Sequence, residues 1–176
     1  RNHKIDTITI HCYVGQVTAK QGCDMFATTS RNASCNYVVG RDGSIGLCVE
    51  EKDRSWCSSN AQNDHRAVTI ECASDAVAPY KVTPEAYNAL IQLVADICRR
   101  NGIKQLLWKG DKNLIGQIDK QNMTVHRWFA AKACPGDYLY NLHGDIANKV
   151  NSLLGTSANS PKTVEKIAEV STENKT

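Results

Sequence analysis

Residues 5–12 alternate between apolar and polar side chains with a period of two. Ile8 and Ile10 share one face, while Thr7, Thr9 and His11 share the other, which predicts a strand with one face on a core. Asn36 to Gly46 reads as strand, turn, strand, with Arg41-Asp42-Gly43 supplying the turn. Residues 67–73 alternate again, with Val68, Ile70 and Cys72 on one side and Thr69 and Glu71 on the other. Thr83 can cap a long helix that begins with Pro84 and stops at Gly102. Its apolar stripe is Tyr87, Leu90, Ile91, Val94, Ile97 and Cys98. A weaker helix is predicted over 18–29, and a late one over 137–154 with Leu139, Leu142, Ile146, Val150 and Leu153 facing inward. This order predicts an α/β fold, a mixed central β-sheet flanked by helices in a single domain over residues 1–154.

The pattern changes at Gly155. Thr156 to Lys162 is rich in Ser, Thr, Asn and Pro and reads as a linker, and Val164 to Val170 could form two helical turns. The tail over 155–176 is expected to lead to a further, cell-wall-binding module.

Composition narrows the function classes. A chain of 176 residues, 41% hydrophobic and 22% charged, suits one globular domain. A net charge of +3 is too mild to imply nucleic-acid binding. No apolar run approaches the roughly 18 residues of a membrane span, and no signal peptide is visible. The protein is therefore expected to be made in the cytoplasm and then secreted or phage-released, and to act as a monomer. Eight cysteines, without a CxxC pair, exclude a zinc ribbon and a thioredoxin-type motif. Mostly free thiols are expected, several acting as small hydrophobes.

Three residues suggest chemistry. His11 ends the first strand on its polar face. Met123 and Val125 alternate with Thr124 and His126, so His126 also closes a short strand. Cys134 follows eight residues later, before a Pro-Gly turn. Two imidazoles and a thiolate form a zinc set that leaves a fourth position for water, the mark of a catalytic site. Glu71 ends its strand on the face opposite Val68 and Ile70, placed for a general base. Lys132, two residues before Cys134, is placed to project beside that ligand. Spacing alone does not establish that the five converge.

The chain resembles the zinc-dependent N-acetylmuramoyl-L-alanine amidases related to peptidoglycan recognition proteins and amidase-type phage lysozymes. The likeness runs over roughly residues 5–154. Its anchors are Ile10-His11, Ser34-Cys35-Asn36-Tyr37-Val38-Val39 leading to Arg41-Asp42-Gly43, Trp56, Asn63 to Glu71, and His126 with Lys132-Ala133-Cys134-Pro135-Gly136. The resemblance implies one catalytic zinc ion on His11, His126 and Cys134, Glu71 as catalytic glutamate, and Lys132 stabilising the transition state. It implies bacterial peptidoglycan as partner and the cell wall as place of action, in the manner of an endolysin or autolysin. Trp56, Asn36 and His65 are candidate substrate contacts. Two departures stand out: Cys35 falls where some branches carry a catalytic Tyr, and Cys57 where many relatives carry a His.

Three other readings compete. A non-catalytic peptidoglycan-binding module on the same fold would usually have a broken ligand set. A cysteine peptidase using Cys134 and His126 would have Pro135 directly after its nucleophile. A structural zinc domain would want four ligands.

Overall fold

In a computed structural model, which describes residues 1–155, five strands form one sheet in the order β3-β2-β4-β1-β5. The strands are β1 Thr7–Cys12, β2 Tyr37–Val39, β3 Ile45–Leu47, β4 Ala67–Cys72 and β5 Met123–Thr124. The helices are α1 Ala19–Phe26, α2 Ala61–Arg66, α3 Pro84–Arg100 and α4 Gly136–Leu154. β1 pairs in parallel with β4 and β5, β2 pairs in parallel with β4, and β2 pairs antiparallel with β3. The sheet is thus mixed and flanked by helices, as the pattern predicts. The linker expected at Thr156 to Lys162 and the turns at Val164 to Val170 lie outside the described residues.

Local sequence explains each element. Thr18 and Gln21 close a capping box at the start of α1. Thr83 accepts from the Ala86 N–H, and Pro84 fills the first turn of α3. Gly102, at φ +69°, takes the left-handed position after that helix. The Arg41-Asp42-Gly43 turn joins β2 to β3, with Asp42 accepting from the Ser44 N–H. The weak helix expected over 18–29 is shorter, and a 3₁₀ turn at Thr29–Arg31 follows it.

One face of the sheet carries the apolar core. Ile8, Ile10, Val68 and Ile70 pack with Leu90, Val94 and Ile97 of α3 and Leu139, Ile146 and Val150 of α4, all fully buried. Leu153, expected inward, is 39% exposed. The helix instead buries His143, Ala147 and Asn151. Asn151 earns its interior place by pairing with both the N–H and the C=O of Leu106.

The opposite face is polar, as the alternation predicts, but it is not open to solvent. Thr7, Thr9, His11 and Thr69 are all buried. The segment 55–66, including α2, folds over them and supplies partners for the Thr9 and Thr69 hydroxyls, while the Thr7 hydroxyl donates to Asp6. Thr9 and Thr124 are hydrogen-bonded at 2.7 Å, Asn63 bonds both of them, and Ser55 meets Thr69 at 2.7 Å. Each hydroxyl left unpaired there would cost about 1–3 kcal/mol.

Cys23 and Cys48 form a disulfide between α1 and the segment after β3. The other six cysteines are free, so the expectation of mostly free thiols needs correcting for one pair only.

His143 is fully buried, donates from Nδ1 to the Leu139 carbonyl at 2.7 Å, and leaves Nε2 without a partner. Burial pushes its pKa down to about 4. The unfolded chain, titrating near 6.5, then binds more protons than the native state between those values, so stability falls as pH drops through that window. The loss amounts to about 3 kcal/mol. His143→Leu should remove that share of acid destabilisation in thermal melts at pH 7 and pH 4; identical pH dependence in both proteins would contradict it.

Candidate metal centre

The parallel strands β1 and β4 end together, and their register sets His11 opposite Glu71. β5 ends beside them. Val125 continues the extended backbone, and His126 opens a 3₁₀ turn, His126–Trp128, rather than closing the strand as expected. The chain returns at Cys134, where the Arg127 N–H donates to the Cys134 carbonyl at 3.1 Å. Arg127 also bonds the Ala133 carbonyl and Asp137, clamping the loop between His126 and α4. Gly136, at φ +77°, makes the turn into α4, and any Cβ there would stand 2.8 Å from Tyr80.

These constraints bring His11, His126 and Cys134 together, with one donor atom from each lying within 4.8 Å of the others. His11 Nδ1 is 3.3 Å from Cys134 Sγ, and the two imidazole rings stand 5.2 Å apart at 65°. Zinc bonds of about 2.05 Å to nitrogen and 2.3 Å to sulfur put tetrahedral donors about 3.5 Å apart, so the cluster has the right dimensions. The electrostatics fit as well. His11 is 1% exposed, its Nε2 is unpartnered, and burial followed by His126 and His143 pushes its pKa down to about 3. Burial and then Lys132 lower that of His126. Both rings are therefore neutral, the form that ligates metal. Contact with the Cys12 thiol, then burial, holds Cys134 above the usual thiol range. A bound cation reverses that preference.

Glu71 lies against this cluster. Its Oε1 faces the Cys57 thiol at 3.7 Å, and its Oε2 is buried without a partner. Burial above all, then Cys12, pushes its pKa up to about 8, while the Cys57 contact opposes the rise. A carboxyl that titrates near neutrality is suited to proton transfer.

His126 also faces a cavity of about 420 Å³, lined by Arg54, Trp56, Cys57, Ser59 and Lys132 among others. Lys132 lies on its exposed rim, and Trp56 is 59% exposed. Two expected substrate contacts lie elsewhere. Asn36 is fully buried, because its amide bonds the Thr69 N–H and the Val49 carbonyl and so ties β2 to its neighbours. His65 sits on α2 outside this cavity, where its Nδ1 accepts from the Asn2 N–H.

Sequence reasoning missed several neighbours. Ser59 Oγ is 2.9 Å from His126 Nε2 and fixes that ring. Tyr13 has a buried hydroxyl without a partner, and the charge of Glu71 reaches it. The same alternation that singles out His11 continues to Tyr13 and could have found it. Cys35 is fully buried near Glu71.

The sequence profile of the N-acetylmuramoyl-L-alanine amidase family matches residues 1–137. No curated protein sequence gives a significant match. Among solved structures, PlyL is similar at 16% identity, with 84% of each chain covered and a TM-score of 0.63. The amidase LysC from Clostridium intestinale has 18% identity over 82% of this chain and 87% of that one, with a TM-score of 0.57. The endolysin of the Thermus scotoductus bacteriophage Ph2119 has 16% identity, 85% and 87% coverage, and a TM-score of 0.60. At such identities the likeness is one of fold.

Proposed function

Because the chain belongs to the N-acetylmuramoyl-L-alanine amidase family, we propose that it cleaves the amide between N-acetylmuramic acid and L-alanine in bacterial peptidoglycan with one zinc ion held by His11, His126 and Cys134. A zinc ion held by these three residues would supply Lewis acidity and activate water at neutral pH. Glu71 accepts the proton of the attacking water and later delivers it to the leaving amine of L-alanine. Lys132 offers positive charge where the carbonyl oxygen becomes negative. The cavity that both His126 and Lys132 line holds the substrate, with Trp56 as an exposed aromatic wall.

The observation that carries this reading is the meeting of two neutral imidazoles and a thiol beside a buried carboxyl at the ends of parallel strands. A buried carboxyl pushed up to about 8 beside that cluster favours the catalytic reading over a peptide-binding module without activity. Residues 1–154 form the catalytic unit in this reading, and the enzyme acts at the wall as a monomer. No helix among the described residues is long and apolar enough to cross a membrane.

Mass spectrometry of fragments released from purified walls tests it. Peptides with a new amino-terminal L-alanine should appear, and disappear with a chelator that is then outcompeted by added zinc. Wall binding without any release would assign the chain to the non-catalytic class.

A further inference from the structure

The arginines of this fold are mostly spent on structure. Arg1 makes five hydrogen bonds to the carbonyls of Glu51, Asp53, Asp64, His65 and Ala67. Arg66 pairs with Asp6, Arg100 with Glu51 and Asp96, and Arg127 with Asp137. Arg54 differs. Its guanidinium makes no hydrogen bond or ion pair among the described residues, and instead lies over the Trp56 ring at 5.1 Å. Both side chains line the cavity that also holds His126 and Lys132.

This is a receptor geometry rather than a structural one. A guanidinium held over an indole by the cation–π attraction loses less entropy when it binds a ligand. The fork of N–H donors then stays free for a planar, two-oxygen anion. Lys132, on the same cavity, adds a second positive charge. Asp64, the acid in the lining, does not neutralise them by contact: it is 3% exposed and its oxygens accept from the Cys57 N–H, the Ser58 N–H and the Ser58 hydroxyl. The backbone between the pair is anchored, because Ser55 is buried against Thr69.

We propose that Arg54 and Trp56 form a carboxylate subsite beside the metal centre, so that the enzyme favours stem peptides bearing a free carboxylate over the same peptides capped as the amide. The inference rests on the amidase reading above and names its substrate class: an acidic peptide joined to the muramyl group. The carboxylate is gripped by two parallel N–H bonds from Arg54 while the apolar part of the peptide lies along Trp56. An amide offers a single acceptor oxygen and no charge, and loses most of that grip.

The test uses two synthetic muramyl dipeptides that differ only in a free α-carboxyl or a carboxamide on the second residue. Wild-type, zinc-loaded protein should turn over the acid with a kcat/KM about 10- to 100-fold above the amide, the worth of one charge-assisted pair. The difference should sit in KM. Arg54→Gln should bring the ratio to about one, and Arg54→Lys should keep part of it, with melting temperatures showing that both variants fold. A ratio near one in the wild type, or one unchanged in Arg54→Gln, overturns the proposal. Should the wild type cleave neither compound, release of peptides from walls still decides the amidase reading, and calorimetric binding of the same pair decides the subsite. Tighter binding of the acid that Arg54→Gln abolishes supports it; equal binding overturns it.

Discussion

Cys134→Ala is expected to leave a folded protein that has lost its zinc and, with it, measurable hydrolysis. Zinc bound by four protein ligands is worth about 10–16 kcal/mol, so one donor accounts for roughly 3 kcal/mol, on the order of 100-fold in affinity. In a centre with three protein donors, the loss of the only thiolate is larger still, because the remaining two imidazoles are neutral. Polarisation and water activation, each worth several kcal/mol, then disappear, and turnover should fall by at least about 1000-fold. The backbone of the loop survives, since the Arg127 N–H bonds the carbonyl of residue 134 and not its side chain. One complication is built into the fold: Cys12 lies against Cys134 and could donate its own sulfur. The Cys12→Ala, Cys134→Ala pair closes that route. Elemental analysis after gel filtration provides the check, and one zinc per chain in the double variant would show that the metal sits elsewhere.

How much of this site the sequence discloses depends on the range of the forces involved. His11 and Glu71 are legible because period-two alternation places them at strand ends on one face, and strand register alone brings them side by side. That the same face is buried is not legible, since the covering segment 55–66 has no periodicity and is held by hydroxyl and amide bonds from β1, β4 and β5. The same gap explains Asn36. An asparagine beside a strand looks like a substrate contact until the backbone of residue 49 arrives to take its amide. His65 differs again: it sits on α2 but on the side facing the chain start. The Cys23–Cys48 bond depends on α1 packing against β2 and β3, a tertiary choice that neither cysteine's neighbours reveal. Arg54 is not legible either, since only the fold lays its guanidinium over Trp56 on the cavity beside the metal centre.

Glu71→Gln should separate chemistry from metal binding. The amide keeps the shape of the side chain and its contact with Cys57, so zinc should remain at one per chain. What disappears is the acceptor for the water proton and the donor for the leaving amine, and kcat should fall by about 10²- to 10⁴-fold with little change in KM. A second readout belongs to the metal-free protein. There the carboxyl titrates near 8 in the native state against 4.5 when unfolded, because burial disfavours its charge. The native state thus binds more protons between those values, and its stability is full below pH 4.5 and declines as pH rises through 8. Glutamine carries no such titration. The metal-free variant should therefore match the wild type near pH 4 and exceed it by a few kcal/mol above pH 8, which thermal melts across that range will register. Zinc should narrow the difference, since a neighbouring cation favours the carboxylate. Undiminished turnover in Glu71→Gln would remove this residue from the proton path, and parallel melting curves for the two metal-free proteins would show that its carboxyl is not held in the protonated form.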